Sequence, residues 1–417
     1  MGKHPFIPLR HRAVRLLWSA AVISDVGTWV QLIVVGSLIA RDTGSAFQTG
    51  LIAVVTFMPQ GLAAPVGGLL ADRFDRRKVF AAALLGQATM TGVLAVVLAL
   101  GVREPLVLTV LILMSSMTGS LGAPSYSAML PDLVPPEELM AILSLGIFSW
   151  NSGRVVGPLL ASLLALTVGP AWTVAFNATT FVVMAGAVAL VRRPFRPHEV
   201  VQAGVMERLA DGWRATRSTP GCWLGIEMLI IFNVTAVGFM GLVPIYASAL
   251  FDGSTGLAGT LASAQGIGAI VGGVAATVLS HRWRRSSMLV GNLVALPIAL
   301  SAYALAPSRP LAIAAIFVLG GCATPLFLSV STMIQRDAPP ASRGRVMSIN
   351  QAVGGGFYGL GLMFLGLLAD LTSLRVAFVI GALLLVLGFV VLTRRTPTWR
   401  AAVEGTLTAS EPSPSLV

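Results

Sequence analysis

The chain has 417 residues, of which 55% are apolar and 11% charged, with 44 glycines and a formal net charge of +11. That balance excludes an ordinary soluble protein of two or three domains and describes a polytopic membrane protein. The excess of cations invites a nucleic-acid partner, but their placement along the chain argues against one.

Apolar segments of about 20 residues, enough to cross ~30 Å of hydrocarbon, recur about twelve times. The first, from Leu16, runs too long for a secretory signal core and is read as a retained span. After a short basic tail (1–15), spans are expected at about 16–40, 47–71, 79–100, 106–130, 139–166 and 171–191, giving an N-terminal six-helix half over 1–191. Residues 192–220 break the pattern. Charge enters at Arg192, and Val205, Leu209 and Trp213 recur at helical spacing, which predicts a cytoplasmic linker with an amphipathic surface helix. A second six-helix half, 221–395, holds spans at about 222–250, 256–279, 287–306, 310–333, 345–369 and 374–392, and 396–417 reads as a polar, disordered cytoplasmic tail. Segments this long and uniformly apolar must be helices, because lipid offers no partner to unpaired backbone groups.

With these spans, 23 of the 28 Lys and Arg residues fall on one side, only Arg41, Arg103, Arg309 and Arg375 on the other, and Arg154 inside a span. The positive-inside rule then places both termini in the cytoplasm. The two halves also repeat. Trp18 and Trp223 open first spans 205 residues apart, and Gly67-Gly68 and Gly272-Gly273 end second spans at the same offset. Pro135-Pro136 and Pro339-Pro340 precede fifth spans 204 apart, and Ser144/Ser348 and Gly157/Gly361 keep that register. The expected fold is all-α and polytopic, with twelve transmembrane helices in two pseudo-symmetric halves.

No enzyme constellation is present. All four histidines lie in tails or loops, no Gly-rich loop ends in Lys-Ser/Thr, and Cys222 and Cys322 are a hundred residues apart, which suggests neither disulfide nor metal site. No cofactor is expected, and energy from ATP bound by this chain is not.

Two acids lie within spans, Asp25 near mid-depth of span one and Glu227 early in span seven. Acids in the membrane are costly and usually functional. A carboxyl that binds a proton in one state and loses it in another is the minimum for proton coupling; the alternative is a structural acid neutralised by a neighbour. Arg154 in span five needs a counter-charge, and Asp25 is the candidate by depth. Beside it, Gly153 and Gly157 share one helical face, and Pro158 favours a bend.

The stretch from Gly67 to Lys78 carries six charges in its last seven residues, which forces it into a tight surface loop. Asp72 and Asp75 are candidates to meet Arg343 and Arg345, and Glu137 and Glu138 to meet Arg282, Arg284 and Arg285, as a conformational latch that also involves Arg73, Arg76 and Arg77. The competing reading is a set of solvated topology signals. A substrate cavity is expected between the halves near the midplane, with Gln31, Trp150, Asn151, Asn177, Asn233, Phe239, Gln265, Asn350, Gln351 and Tyr358 at plausible depths. Few charges there would suit an amphiphilic or lipophilic solute.

These motifs resemble the major facilitator superfamily of transporters. Gly68, then Asp72-Arg73, then Asp75-Arg76-Arg77 is similar to its loop between spans two and three, with Asp75 where Gly is usual. Gly153-x-x-x-Gly157-Pro158 resembles the antiporter signature of its drug exporters. Ser24 to Gln31, Thr43 to Ala46, Pro124 to Pro131, Arg154 to Pro158 and Arg343 to Val346 together resemble its transmembrane secretion effector branch, which includes the enterobactin exporter and twelve-span drug:proton antiporters. Ser115 stands near the place of a span-four arginine found in several of those antiporters, a departure that bears on proton coupling by that route. The resemblance implies an exporter of small drug- or siderophore-type molecules in a bacterial inner membrane. It would exchange them for protons by alternating access and work as a monomeric unit in the lipid bilayer. The alternative is a proton-symport importer of a polar metabolite, which the Gly-x-x-x-Gly-Pro run disfavours.

Overall fold

The computed structural model describes residues 6–191, 205–251, 253, 255–280, 282–339 and 342–405; the opening of the expected linker, His281 and the chain beyond 405 lie outside them. Helix boundaries follow local chemistry. The first helix, α1 (Arg12–Thr43), stops at Gly44, whose φ of 64° is the left-handed conformation a glycine adopts without strain. Ser45 then caps α2 (Ala46–Arg73) by accepting the Gln48 N–H at 3.1 Å. Further helices are α3 (Arg76–Ala99), α4 (Pro105–Met129), α5 (Leu139–Thr167) and α6 (Gly169–Leu190). The expected linker helix is α7 (Val205–Ser218).

Ten helices among the described residues are long and apolar enough to cross a membrane, and two shorter apolar helical stretches, 46–59 and 220–235, fall at the remaining expected spans. Span seven departs from the expectation of one continuous helix over 222–250. It is α8 (Pro220–Thr235), a 3-10 turn (Val237–Met240) and α9 (Val243–Phe251). The sequence contains the reason: Gly238 and Gly241 weaken the helix, and Pro244 offers no N–H to the carbonyl four residues back. The remaining helices are α10 (Thr255–Leu279), α11 (Arg285–Ala304), α12 (Arg309–Asp337), α13 (Arg343–Leu371), α14 (Leu374–Arg395) and the short α15 (Trp399–Glu404).

Packing divides the chain into two units: Met1–Val201 with Val243–Ser263, and Gln202–Leu242 with Ala264–Val417. The first unit is built on α1, which packs against α2, α5, α6 and α9. An apolar core at the start of α1 (Leu17, Phe80, Met129, Leu145, Phe181) and another at its end (Ile39, Ile52, Leu94, Ile112) flank a polar waist. There Asn177 donates to Gln31 at 2.7 Å and Thr91 pairs with Ser115 at 2.9 Å, so these four buried polar side chains satisfy one another. Residues 243–263 join this unit by backbone contact. A Cβ at Gly259 would fall 2.3 Å from the Pro158 carbonyl, and the Ser263 hydroxyl donates to Val155 O at 2.9 Å.

In the second unit α8 packs against α12, α13 and α14, and α7 lies on α8 and α13. The α7 face toward the bundle is Gly212 and Thr216, both buried one turn apart. The short α15 is clamped at its C-terminal end. Glu404 accepts the Ser286 N–H at 3.0 Å and its hydroxyl at 2.6 Å, and Arg336 donates to the carbonyls of Ala402 (2.6 Å) and Val403 (3.0 Å).

Candidate functional site

The site is assembled on the seam between α1 and α5. Gly153 and Gly157 lie two successive turns along α5, and a Cβ on either would meet α1: 2.8 Å from the Asp25 backbone carbon in the first case, 2.5 Å from the Trp29 Cβ in the second. Only glycine permits so close an approach. One turn before Gly153 on the same face is Ser149, whose hydroxyl donates to Asp25 Oδ2 at 2.5 Å. Trp18 closes the seam on one side, donating to Leu145 O at 2.9 Å.

The ion pair expected between Asp25 and Arg154 is not formed; Asp25 takes the Ser149 hydroxyl instead. The reason is angular. Positions 149, 153 and 157 repeat every four residues and share the face turned to α1, whereas 154 lies about 100° further round the helix. Ser149 was missed in the sequence, although the Ser149-x-x-x-Gly153-x-x-x-Gly157 stripe carries its signal: a hydroxyl on the glycine face must meet whatever that face meets.

Around Asp25 the unit is aromatic. Trp29, one turn on, stands 5.6 Å from Trp150 and 5.8 Å from Phe57, and Phe57 and Trp150 are 6.0 Å apart, in edge or tilted contacts. The Trp29 indole N–H is buried with no hydrogen-bond partner among the described residues. On α4, Tyr126 lies within electrostatic reach of Asp25. Ser115, where an antiporter arginine would stand, is a neutral group held by Thr91 and the Gln87 carbonyl.

The other expected cavity residues divide. Gln31 and Asn177 are spent on each other inside the first unit, with Thr180 also donating to Asn177. Trp150 is half-buried in the aromatic cluster, and Asn151 donates to its own helix at Ile147 O. In the second unit Asn233 is buried and donates to Leu229 O, while Phe239 and Gln265 are buried. Asn350 is buried with its Oδ1 unpartnered among the described residues; Tyr358 is half-buried and Gln351 exposed.

Glu227 lies half-buried midway along α8, two turns from its start. Trp223 lies one turn earlier on the same helix, and Arg395, at the end of α14, lies within electrostatic reach. The latch residues also have local roles. Asp75 caps α3, accepting the N–H groups of Arg77 (2.9 Å) and Lys78 (3.3 Å), which explains an acid where glycine is usual. Arg76 is buried against Asp132 and the Ala128 carbonyl, and Arg77 donates to Val191 O at 2.8 Å. Glu138, expected with Glu137 to meet Arg282, Arg284 and Arg285, is 1% exposed and bound by Arg10 and by His11, the latter at 3.0 Å. Arg345 is engaged by Asp211 of α7 at 2.9 Å. Asp72 and Arg73 end α2, and Glu137 and Arg343 are exposed.

Comparison with known proteins agrees with this architecture. Residues 3–415 match the family described as transmembrane secretion effectors. The chain is 28% identical over 388 residues to the enterobactin exporter EntS of Escherichia coli O1:K1 / APEC, covering 92% of this chain and 91% of that one. Among solved structures it is similar to the nucleoside transporter NupG (TM-score 0.72, 14% identity, 92% of this chain and 99% of that one). It is also similar to a bacterial homolog of the human lysosomal transporter Spinster in an inward-facing, unoccupied conformation (TM-score 0.70, 16% identity, 99% and 100%). A multi-span membrane protein with this helix order and this match over nearly its whole length is a transporter, not an enzyme, and belongs to the transmembrane secretion effector family of the major facilitator superfamily.

Proposed function

We propose that this protein is a secondary active exporter of small amphiphilic molecules, of drug or siderophore type, working by proton antiport and alternating access. The observation that carries the reading is the Asp25–Ser149 contact across a glycine seam. An acid inside a span is expensive, and here its oxygen is met by a hydroxyl that can donate to the carboxylate or accept from the protonated acid. Such a contact can survive a change of protonation while its strength changes, which a proton-coupled switch requires. The aromatic cluster of Trp29, Phe57 and Trp150 beside it offers flat apolar surface to an amphiphilic solute. The enterobactin exporters among the relatives support outward transport and make enterobactin-like siderophores the first substrates to test.

In this reading the protein sits in the bacterial inner membrane with both termini in the cytoplasm, and one chain forms the transport unit. Asp25, on the α1–α5 seam, carries the proton, and Glu227, off that seam on α8, does not.

The test uses inside-out vesicles holding the protein, an imposed pH gradient, and two solutes, a cationic dye and a catecholate siderophore. Gradient-driven accumulation of at least one solute is expected, lost in Asp25→Asn and retained in Glu227→Gln. Undiminished accumulation in Asp25→Asn would overturn the assignment of Asp25. Accumulation that ignores the gradient would overturn proton antiport.

A further inference from the structure

We propose that the outer corner of the second unit, where α7, the start of α8 and the end of α14 meet, binds the headgroup of an anionic phospholipid. The three elements share one membrane boundary. Trp223 lies in the first turn of α8, and Arg394 and Arg395 lie in the last turn of the spanning helix α14. The two helices run antiparallel in close contact, a Cβ at Gly381 falling 2.4 Å from the Thr235 carbonyl and one at Gly388 2.8 Å from Ile231, which brings the end of α14 level with the first turns of α8.

Two indoles stand edge to face at this level, Trp213 of α7 against Trp223, with centroids 5.5 Å apart and planes at 89°. Paired indoles are the side chains that settle between headgroups and acyl chains. The Arg217 guanidinium lies over the Trp223 ring at 5.9 Å, so a cation is held against an aromatic face with its N–H groups left for another ligand.

Among the described residues the carboxylates at the corner are already engaged or set back: Asp211 is held by Arg214 at 2.6 Å and Arg345 at 2.9 Å, Asp337, packed on Gly221, by Arg336 at 2.7 Å, and Glu227 lies two turns into α8. Arg217 and Arg394 are exposed and have no carboxylate partner among the described residues. A guanidinium presents parallel donors that fit the two free oxygens of a phosphodiester.

What selects a lipid over a soluble phosphate is the surface beneath. Leu387, Val390 and Val391 are 57%, 40% and 40% exposed and lie one and two turns before Arg394 along α14. They form an apolar strip on which an acyl chain can lie once its phosphate is held at Arg394 and Arg217. Recognition of this kind combines ion pairing at the surface with burial of the chain below it.

The inference rests on the chain spanning a membrane and not on export or its direction, so its test has no transport readout. The full-length protein is reconstituted in phosphatidylcholine nanodiscs with increasing phosphatidylglycerol, and retained lipid is counted by native mass spectrometry after release. Phosphatidylglycerol should be retained in preference to phosphatidylcholine. The preference should fall about fivefold for each arginine removed, in Arg217→Gln and Arg394→Gln, as expected for cations at an anionic surface. Arg282→Gln, an exposed cation at another corner of the same unit, is the matched control.

Equal retention of the two lipids would overturn the proposal. So would an equal loss in Arg282→Gln, which would indicate a general basic surface, or displacement of bound lipid by millimolar inorganic phosphate, which would make the site one for a soluble anion. A melting temperature measured in parallel identifies any variant that loses lipid by unfolding; there Arg217→Lys, which keeps the charge but loses the flat fork, should retain part of the preference.

Discussion

Gly157→Ala is the sharpest test of the α1–α5 seam. Its added Cβ would lie 2.5 Å from the Trp29 Cβ, 3.0 Å from the Val26 carbonyl oxygen and 3.3 Å from the Val30 amide nitrogen. Two of these are backbone atoms and the third is fixed to the backbone, so no rotamer change relieves the contact. To recover ordinary contact at 3.4 Å the helices must part by about 0.9 Å. Overpacking of this kind costs about 1–3 kcal/mol. The same movement would stretch the Ser149–Asp25 hydrogen bond from 2.5 Å toward about 3.4 Å, beyond the useful range for O–H···O.

Melting in mild detergent is the assay, with Gly146→Ala as the internal reference. Gly146 lies on the same helix, and a Cβ there meets nothing within 4 Å. That substitution should be neutral, or stabilising by up to ~1 kcal/mol through helix propensity. Gly157→Ala should melt well below it and should also alter the pH dependence of transport. Equal melting temperatures for the two variants would refute the close seam and, with it, the geometry that delivers Ser149 to Asp25.

Two further predictions concern the ends of the units. The Ser286 hydroxyl and N–H donate to Glu404 and hold its carboxyl below the ordinary 4.5. A depressed pKa means that the clamp on α15 is fully present above the unfolded value and is lost as pH falls through the folded one. Limited proteolysis should therefore release the C-terminal helix only below about pH 4.5; Glu404→Gln should be cut more readily at neutral pH and lose that acid step, and an unchanged step would sink the assignment. Glu138→Gln removes the buried carboxylate between Arg10 and His11, at a cost of about 1–2 kcal/mol once the exposure of Arg10 is allowed for. The first helical turn of the chain should then become protease-sensitive while α5 stays protected in hydrogen exchange; equal protection of the N-terminus in both forms would refute the anchor.

The contrast between Arg154 and Ser149 shows what the sequence could and could not say about this site. Composition alone dictated the spans, because a backbone in lipid has few options, and the glycine pair announced a close seam. Depth is also legible, since rise per residue is fixed, and so Asp25 and Arg154 were correctly placed at similar levels. Azimuth is not legible until the facing helix is known. Serines elsewhere on α5 donate to their own helix four residues back, Ser144 to Met140 O, Ser152 to Phe148 O and Ser162 to Pro158 O, and nothing in composition sets Ser149 apart. Only the assignment of the Gly153–Gly157 face to α1 turns Ser149 into the partner of Asp25 and Arg154 away from it. The local partners of the loop acids were illegible for the same reason. Glu138 and Asp75 read as candidates for a latch, and in the structure one is buried by a chain segment 128 residues earlier and the other caps the helix that follows it. An exposed-looking acid in a short loop is more economically used as a cap or anchor than as a latch, since helix ends leave N–H groups that need an acceptor in every conformation, whereas a latch is needed in only one.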